Sequence, residues 1–123
     1  MTEPTVAIWV GNFTDEAALR SYTSLVYDDE GEATSPFAHD TGLEWYDEDF
    51  MEAIMIDPRD PLTAIGRASY AASFLPQLQP LAARLAGHNA CILLYDLEDP
   101  VEMRSSAAVT FAGTFAYSPD EAG

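Results

Sequence analysis

The side chains best equipped for chemistry are the carboxylates of Asp47, Glu48 and Asp49, at the centre of Glu44-Trp45-Tyr46-Asp47-Glu48-Asp49-Phe50-Met51-Glu52. Five acids and three aromatic rings share that short run. Clustered carboxylates can hold a divalent metal or divide the roles of general acid and general base, so a carboxylate-based, metal-dependent hydrolase is one reading. The spacing argues against it. In an extended segment Asp47 and Asp49 face one way and Glu48 the other, which leaves two like charges about 7 Å apart with no third ligand. A magnesium nuclease would usually recruit a lysine as well, and the chain has none.

The other use of such a segment is recognition. Carboxylates complement a cationic protein surface, speeding encounter and fixing register, while Trp45 and Tyr46 are of the residue types that most often carry binding energy. Trp45, Tyr46 and Phe50 would leave a large apolar area in water unless the fold or a partner covered it. The run therefore reads as a rigid acidic face at the entry of a buried strand, with Phe50 as readily pointing inward as outward.

The remaining reactive residues read as structural. Asp28-Asp29-Glu30-Gly31-Glu32 is an exposed loop that lacks the alternating oxygen ligands and terminal bidentate glutamate of a calcium loop. His39 reads as a surface residue. His88 follows Gly87 at an expected helix end, where a cation suits the dipole. Cys91 lies within Ala90-Cys91-Ile92-Leu93-Leu94, has no cysteine to pair with and no cation beside it, and reads as a small buried hydrophobe rather than a reactive thiol. No phosphate-binding loop, dinucleotide turn, metal-spaced histidine pair or serine elbow is present, so neither cofactor nor metal is expected.

Charge narrows the classes further. The chain carries 21 acids against five basic residues, all arginine, for a formal net charge of −16. Nucleic acids and anionic membranes are bound through clustered Lys and Arg, and these arginines are scattered singly, so neither is an expected partner. Twelve of the 21 acids fall in residues 28–60, which points to one strongly negative side. An acidic, salt-adapted proteome, in which every surface is negative, is the other source of such a composition.

These groups need a scaffold. The 123 residues fit a single domain spanning 1–123, able to bury roughly two thirds of its unfolded surface in one core. No apolar run approaches the ~18 residues of a membrane span, and the start lacks a signal-peptide pattern, so a cytoplasmic location is expected. Residues 6–10 read as the first strand. Thr14 is expected to cap a helix with Asp15 and Glu16 in its first turn and Ala18, Leu19, Tyr22, Leu25 and Val26 facing the sheet. Ser35-Pro36 opens a short helical turn carrying Phe37 and His39. Residues 52–57 read as a strand covered on both faces or central in the sheet. A turn follows Pro61 over 62–67. A further helix starts near Ser73 and ends at Gly87, with Pro76 tolerated in its first turn and Pro80 kinking or dividing it. Residues 90–97 and 109–117 read as strands paired in an antiparallel hairpin. In the second, Phe111, Gly113 and Phe115 alternate with Thr110, Ala112 and Thr114, and Gly113 permits a bulge or the close approach of a ring. The expected fold is α+β, a two-layer sandwich with a largely antiparallel sheet of about four strands and helices on one face.

Five segments carry a resemblance: Ile8-Trp9-Val10-Gly11-Asn12-Phe13, Tyr46-Asp47-Glu48-Asp49-Phe50, Ser69-Tyr70-Ala71-Ala72-Ser73-Phe74, Ile92-Leu93-Leu94-Tyr95-Asp96 and Phe111-Ala112-Gly113-Thr114-Phe115. In this order, across most of the chain, they resemble the bacterial immunity protein 22 family of polymorphic toxin systems, formerly a domain of unknown function. The resemblance implies a non-enzymatic protein that binds and neutralises a cognate toxin. Charge adds that the toxin has a basic surface, as a nuclease would, met by Asp28, Asp29, Glu30, Glu32, Glu44, Trp45, Tyr46, Asp47, Glu48 and Asp49. A DNA mimic that inhibits a DNA-binding protein is the third reading.

Overall fold

The computed structural model describes residues 4–41, 51–68, 71–95 and 109–117. Its centre is β1 (Thr5–Gly11), flanked by β5 (Ala90–Tyr95) and β6 (Val109–Ala116), with β4 (Met51–Met55) beyond β5. The order is β4-β5-β1-β6, and every neighbouring pair is antiparallel. The two inner strands are apolar along nearly their whole length, the pattern of strands covered on both faces. All of β5 is buried, and so is all of β1 after Thr5.

Strand alternation divides the interior in two. Val6, Ile8 and Val10, with Cys91, Leu93 and Tyr95, meet Ile65, Ala71, Phe74, Leu78 and Leu85 on one side of the sheet. Ala7 and Trp9, with Ile92 and Leu94, meet Leu19, Phe37 and Ala38 on the other. The α+β class and four-stranded antiparallel sheet are as expected. The single helical face is not: helices cover both faces, because β1 and β5 carry large side chains up and down alike and need two covering layers.

The first layer holds α1 (Glu16–Thr23) and α2 (Pro36–Thr41). The cap of α1 is Asp15 rather than Thr14: its carboxylate accepts from the Ala18 N–H at 2.8 Å, three residues on. Ser24 N donates to Arg20 O and closes the helix, so Leu25 and Val26 fall beyond it. Val26–Tyr27 forms β2, paired antiparallel with β3 (Ala33–Thr34). Ser35 Oγ accepts from Ala38 N at 3.0 Å, and Pro36 starts α2, as its fixed φ and missing donor favour.

The second layer holds α3 (Pro61–Ile65), α4 (Ala71–Leu78) and α5 (Ala82–Leu85). Pro80 sits in a 3-10 turn, Gln79–Leu81, that separates α4 from α5, so one sequence-long helix becomes two short ones. Pro76 lies inside α4, since that helix starts at Ala71 and not near Ser73.

Two strand expectations are corrected. The strands at 90–95 and 109–116 are not partners, because β1 lies between them. The strand at 51–55 is an edge strand, each residue only partly buried, rather than a central one. Gly113 does mark a bulge: Ile8 pairs with Gly113 and Trp9 with Phe111, leaving Ala112 as the extra residue. The inserted residue changes the phase of the strand. Phe111 packs 5.1 Å from Trp9 in one core, whereas Phe115 packs in the other, so the simple alternation read from the sequence is broken at that point. Gly113 has φ +143°, and the tip of the Phe115 ring lies 3.0 Å from where a Cβ would stand.

Asn89 ties the strand ends together. Its Oδ1 accepts from Phe13 N at 2.8 Å, its Nδ2 donates to Phe13 O at 2.7 Å, and its backbone oxygen accepts from Ile56 N at 2.8 Å. Among the described residues no helix is long and apolar enough to cross a membrane.

Candidate partner-binding surface

The β2–β3 hairpin joins α1 to α2 and carries Asp28, Asp29, Glu30 and Glu32 at its tip, all exposed. Asp28 organises the turn. Its Oδ1 accepts from the backbone N–H groups of Glu30 and Glu32, each at 2.9 Å. Its own N donates to Glu32 O, and Gly31, at φ +83°, donates back to Asp28 O. A short carboxylate that satisfies two turn donors holds the loop closed, and Gly31 supplies the left-handed residue the turn needs. Asp29, Glu30 and Glu32 are then offered to solvent from a defined turn. Glu44, Trp45, Tyr46, Asp47, Glu48 and Asp49 lie outside the described residues.

The hairpin contributes apolar groups as well. Val26 and Tyr27 are 64% and 62% exposed, the large hydrophobic residues most open to water among those described. Val26 does not face the sheet as the helical periodicity suggested, because α1 ends three residues before it. The signal that could have found them is the Thr23-Ser24 pair: Thr23 Oγ1 and Ser24 Oγ both donate back to carbonyls of the last turn, competing with helix continuation. Tyr27 then directly precedes the acids, an aromatic-acid neighbourhood of the kind the sequence suggested only around Trp45 and Tyr46.

The layer beneath is well braced. The Tyr22 ring lies 5.2 Å from that of Phe13 and 6.0 Å from that of Phe37, and Phe37 meets Trp9 edge-on at 4.9 Å. Tyr22 OH donates to Asp40 Oδ2 at 2.7 Å, joining α1 to α2 on both sides of the hairpin. His39 is exposed, its Nδ1 3.6 Å from Asp40 Oδ1.

The other reactive residues serve structure. Tyr95 OH donates to Glu52 Oε1 at 2.9 Å across the β4–β5 pair, and its ring meets Tyr117 edge-on at 5.3 Å. Burial, and then the hydrogen bond to Glu52, push the Tyr95 hydroxyl well above its ordinary value. Burial, reinforced by the Glu52 charge, does the same to the fully buried Cys91 thiol, which is therefore a poor nucleophile. His88 Nδ1 lies 3.4 Å from Asn12 Nδ2, beside the Asn89 junction. Among the described residues no three of His, Cys, Asp and Glu converge as a metal set. A pocket between Val10, Arg84 and Phe111 has about 20 Å³, room for a water molecule rather than a substrate.

No curated protein and no solved structure matches the chain. The family model described as Immunity protein 22 matches residues 6–118, a span that takes in both cores, both helical layers and the acidic hairpin. With nearly its whole length matched, and with the five segments noted above in their order, the chain belongs to the Immunity protein 22 family.

Proposed function

We propose that the protein binds and neutralises a cognate toxin by docking an acidic, aromatic-containing surface on a basic surface of that toxin. Membership of an immunity family supports the antidote role and implies a toxin as partner. The surface comprises Asp28, Asp29, Glu30 and Glu32 of the hairpin together with Glu44, Trp45, Tyr46, Asp47, Glu48 and Asp49. Inhibition is by occupation of the toxin and needs no catalysis. The toxin class that fits is a nuclease, whose cleft is basic because it must hold phosphates. Such a toxin acts in the cytoplasm, where the antidote must meet it.

The observation that carries this reading is the hairpin, where exposed Val26 and Tyr27 stand beside four exposed acids on a turn held by its own hydrogen bonds. Charges speed and orient an encounter, but burial of rings and aliphatic groups supplies energy that charges alone do not. The test is affinity for the cognate toxin domain, sought among the products of the neighbouring reading frames, measured over a range of salt. The Asp29→Ala/Glu30→Ala/Glu32→Ala variant, the Asp47→Ala/Glu48→Ala/Asp49→Ala variant and Tyr27→Ala should each bind at least tenfold more weakly. The acid variants should also show a flatter salt dependence and fail to rescue growth on co-expression. Native affinity in all three, with circular dichroism unchanged, would refute the proposal.

A further inference from the structure

We propose that the layer formed by α3, α4 and α5 is a second interface, occupied by the acidic hairpin of another copy of the same chain. Residues 61–95 contain no aspartate or glutamate, in a chain with 21 of them. Burial does not account for this, since Gln77, Gln79, Pro80, Ala83, Arg84 and Ala86 are all exposed. Acidity serving solubility alone would reach these positions too. Exposed surface that stays free of acids and bears arginines while the rest turns acidic has two compositional marks of an interface, depletion of carboxylates and presence of Arg.

The arginines give the face its sign. Arg20, on the opposite layer, is paired with Glu16 of its own helix. Arg67 and Arg84 are exposed and have no carboxylate partner among the described residues. The fold brings them onto one layer, with α3 packed on α5. Gly87 N donates to Pro58 O at 2.9 Å, setting the turn with the exposed Arg59 at the end of α5. The acids bordering that turn are engaged locally: Asp57 accepts from Arg59 N, and Asp60 accepts from the Thr63 hydroxyl.

A face of this kind takes a partner rich in carboxylates, and the chain itself offers one on its other layer. Two molecules of charge −16 repel as wholes, but at physiological salt that repulsion is screened beyond about 8 Å, while contacts between arginine and carboxylate act within it. The contact is head-to-tail, so copies add in series or close into a ring. A toxin and a second copy then compete for the same carboxylates.

Sedimentation velocity of the full chain alone, over a hundredfold range of concentration at near-physiological salt, tests this. The sedimentation coefficient should rise with concentration. Arg67→Ala/Arg84→Ala, which keeps the hairpin, and Asp29→Ala/Glu30→Ala/Glu32→Ala, which keeps the arginine face, should each remain monomeric with native circular dichroism. Mixed together they should form a one-to-one complex that grows no further, because one supplies the intact arginine face and the other the intact hairpin. A wild-type chain that stays monomeric throughout, association unchanged by the substitutions, or variants that do not pair on mixing would each overturn the proposal. Toxin affinity, measured separately, bears on the preceding reading and not on this one.

Discussion

Replacing Asn89 by alanine should destabilise the protein more than any exposed substitution, because one side chain satisfies two backbone groups that have no easy substitute. The Phe13 N–H loses its acceptor at 2.8 Å and the Phe13 carbonyl loses its donor at 2.7 Å, both in a partly buried setting. An unsatisfied buried polar group costs about 1 to 3 kcal/mol, and partial access of water puts each of these near the lower end. The sum is about 2 to 3 kcal/mol, equivalent to a fall in Tm of about 8 to 12 °C for a domain of this size. Asn12→Ala provides the internal comparison: Asn12 Oδ1 accepts from Asn89 N at 3.2 Å, but that N–H also reaches Gly11 O at 3.1 Å, and the site is exposed. Its cost should stay below about 1 kcal/mol. Urea unfolding followed by far-ultraviolet circular dichroism measures both. Phe13 packs on Tyr22. Amide exchange in Asn89→Ala should therefore also accelerate in α1 ahead of β5. If Asn89→Ala lost less than about 0.5 kcal/mol, or no more than Asn12→Ala, the assignment of Asn89 as the tie between β1 and β5 would be wrong.

Two further outcomes follow from the core. Gly113→Ala places a Cβ 3.0 Å from the Phe115 ring at a φ of +143°, so it should cost about 1 to 3 kcal/mol in urea unfolding; a neutral result would show that the bulge needs no glycine. The folded chain keeps the protons of Cys91 and Tyr95 that the unfolded chain releases near pH 9 and pH 10 respectively. A folded pKa raised above the unfolded one gives stability that is whole below pH 9 and declines as pH rises beyond it. Unfolding free energy should therefore fall on the alkaline side and fall less steeply in Cys91→Ala/Tyr95→Phe, and a thiol reagent should label Cys91 only after unfolding.

What the sequence alone determined was what single residues and short runs decide. A proline has no N–H to donate, which suits a helix's first position and disrupts its interior, so the division at Pro80 and the start of α2 at Pro36 were legible, although Pro76 is accommodated inside α4. The uninterrupted apolar runs of β1 and β5 announced strands, Gly113 announced a bulge, and five spaced segments announced the family. The acidic loop 28–32 was legible as exposed because like charges around a glycine have nowhere else to go.

Tertiary structure decided what depends on neighbours distant in the chain. Strand order was one such matter: adjacency in sequence suggested that residues 90–97 pair with 109–117, but β1, apolar on both faces like β5, lies between them, and each of these inner strands has a strand at each edge and a layer on each side. That same arrangement turned two layers into three and left β4 at the edge. The exposure of Val26 and Tyr27 was another, because periodicity reports where apolar residues recur and not where a helix stops. Local chemistry writes turns, caps and breaks into the chain. Burial is settled between elements, and covering both faces of the sheet sets α3, α4 and α5 on one side of it and α1 and α2, which the acidic hairpin joins, on the other.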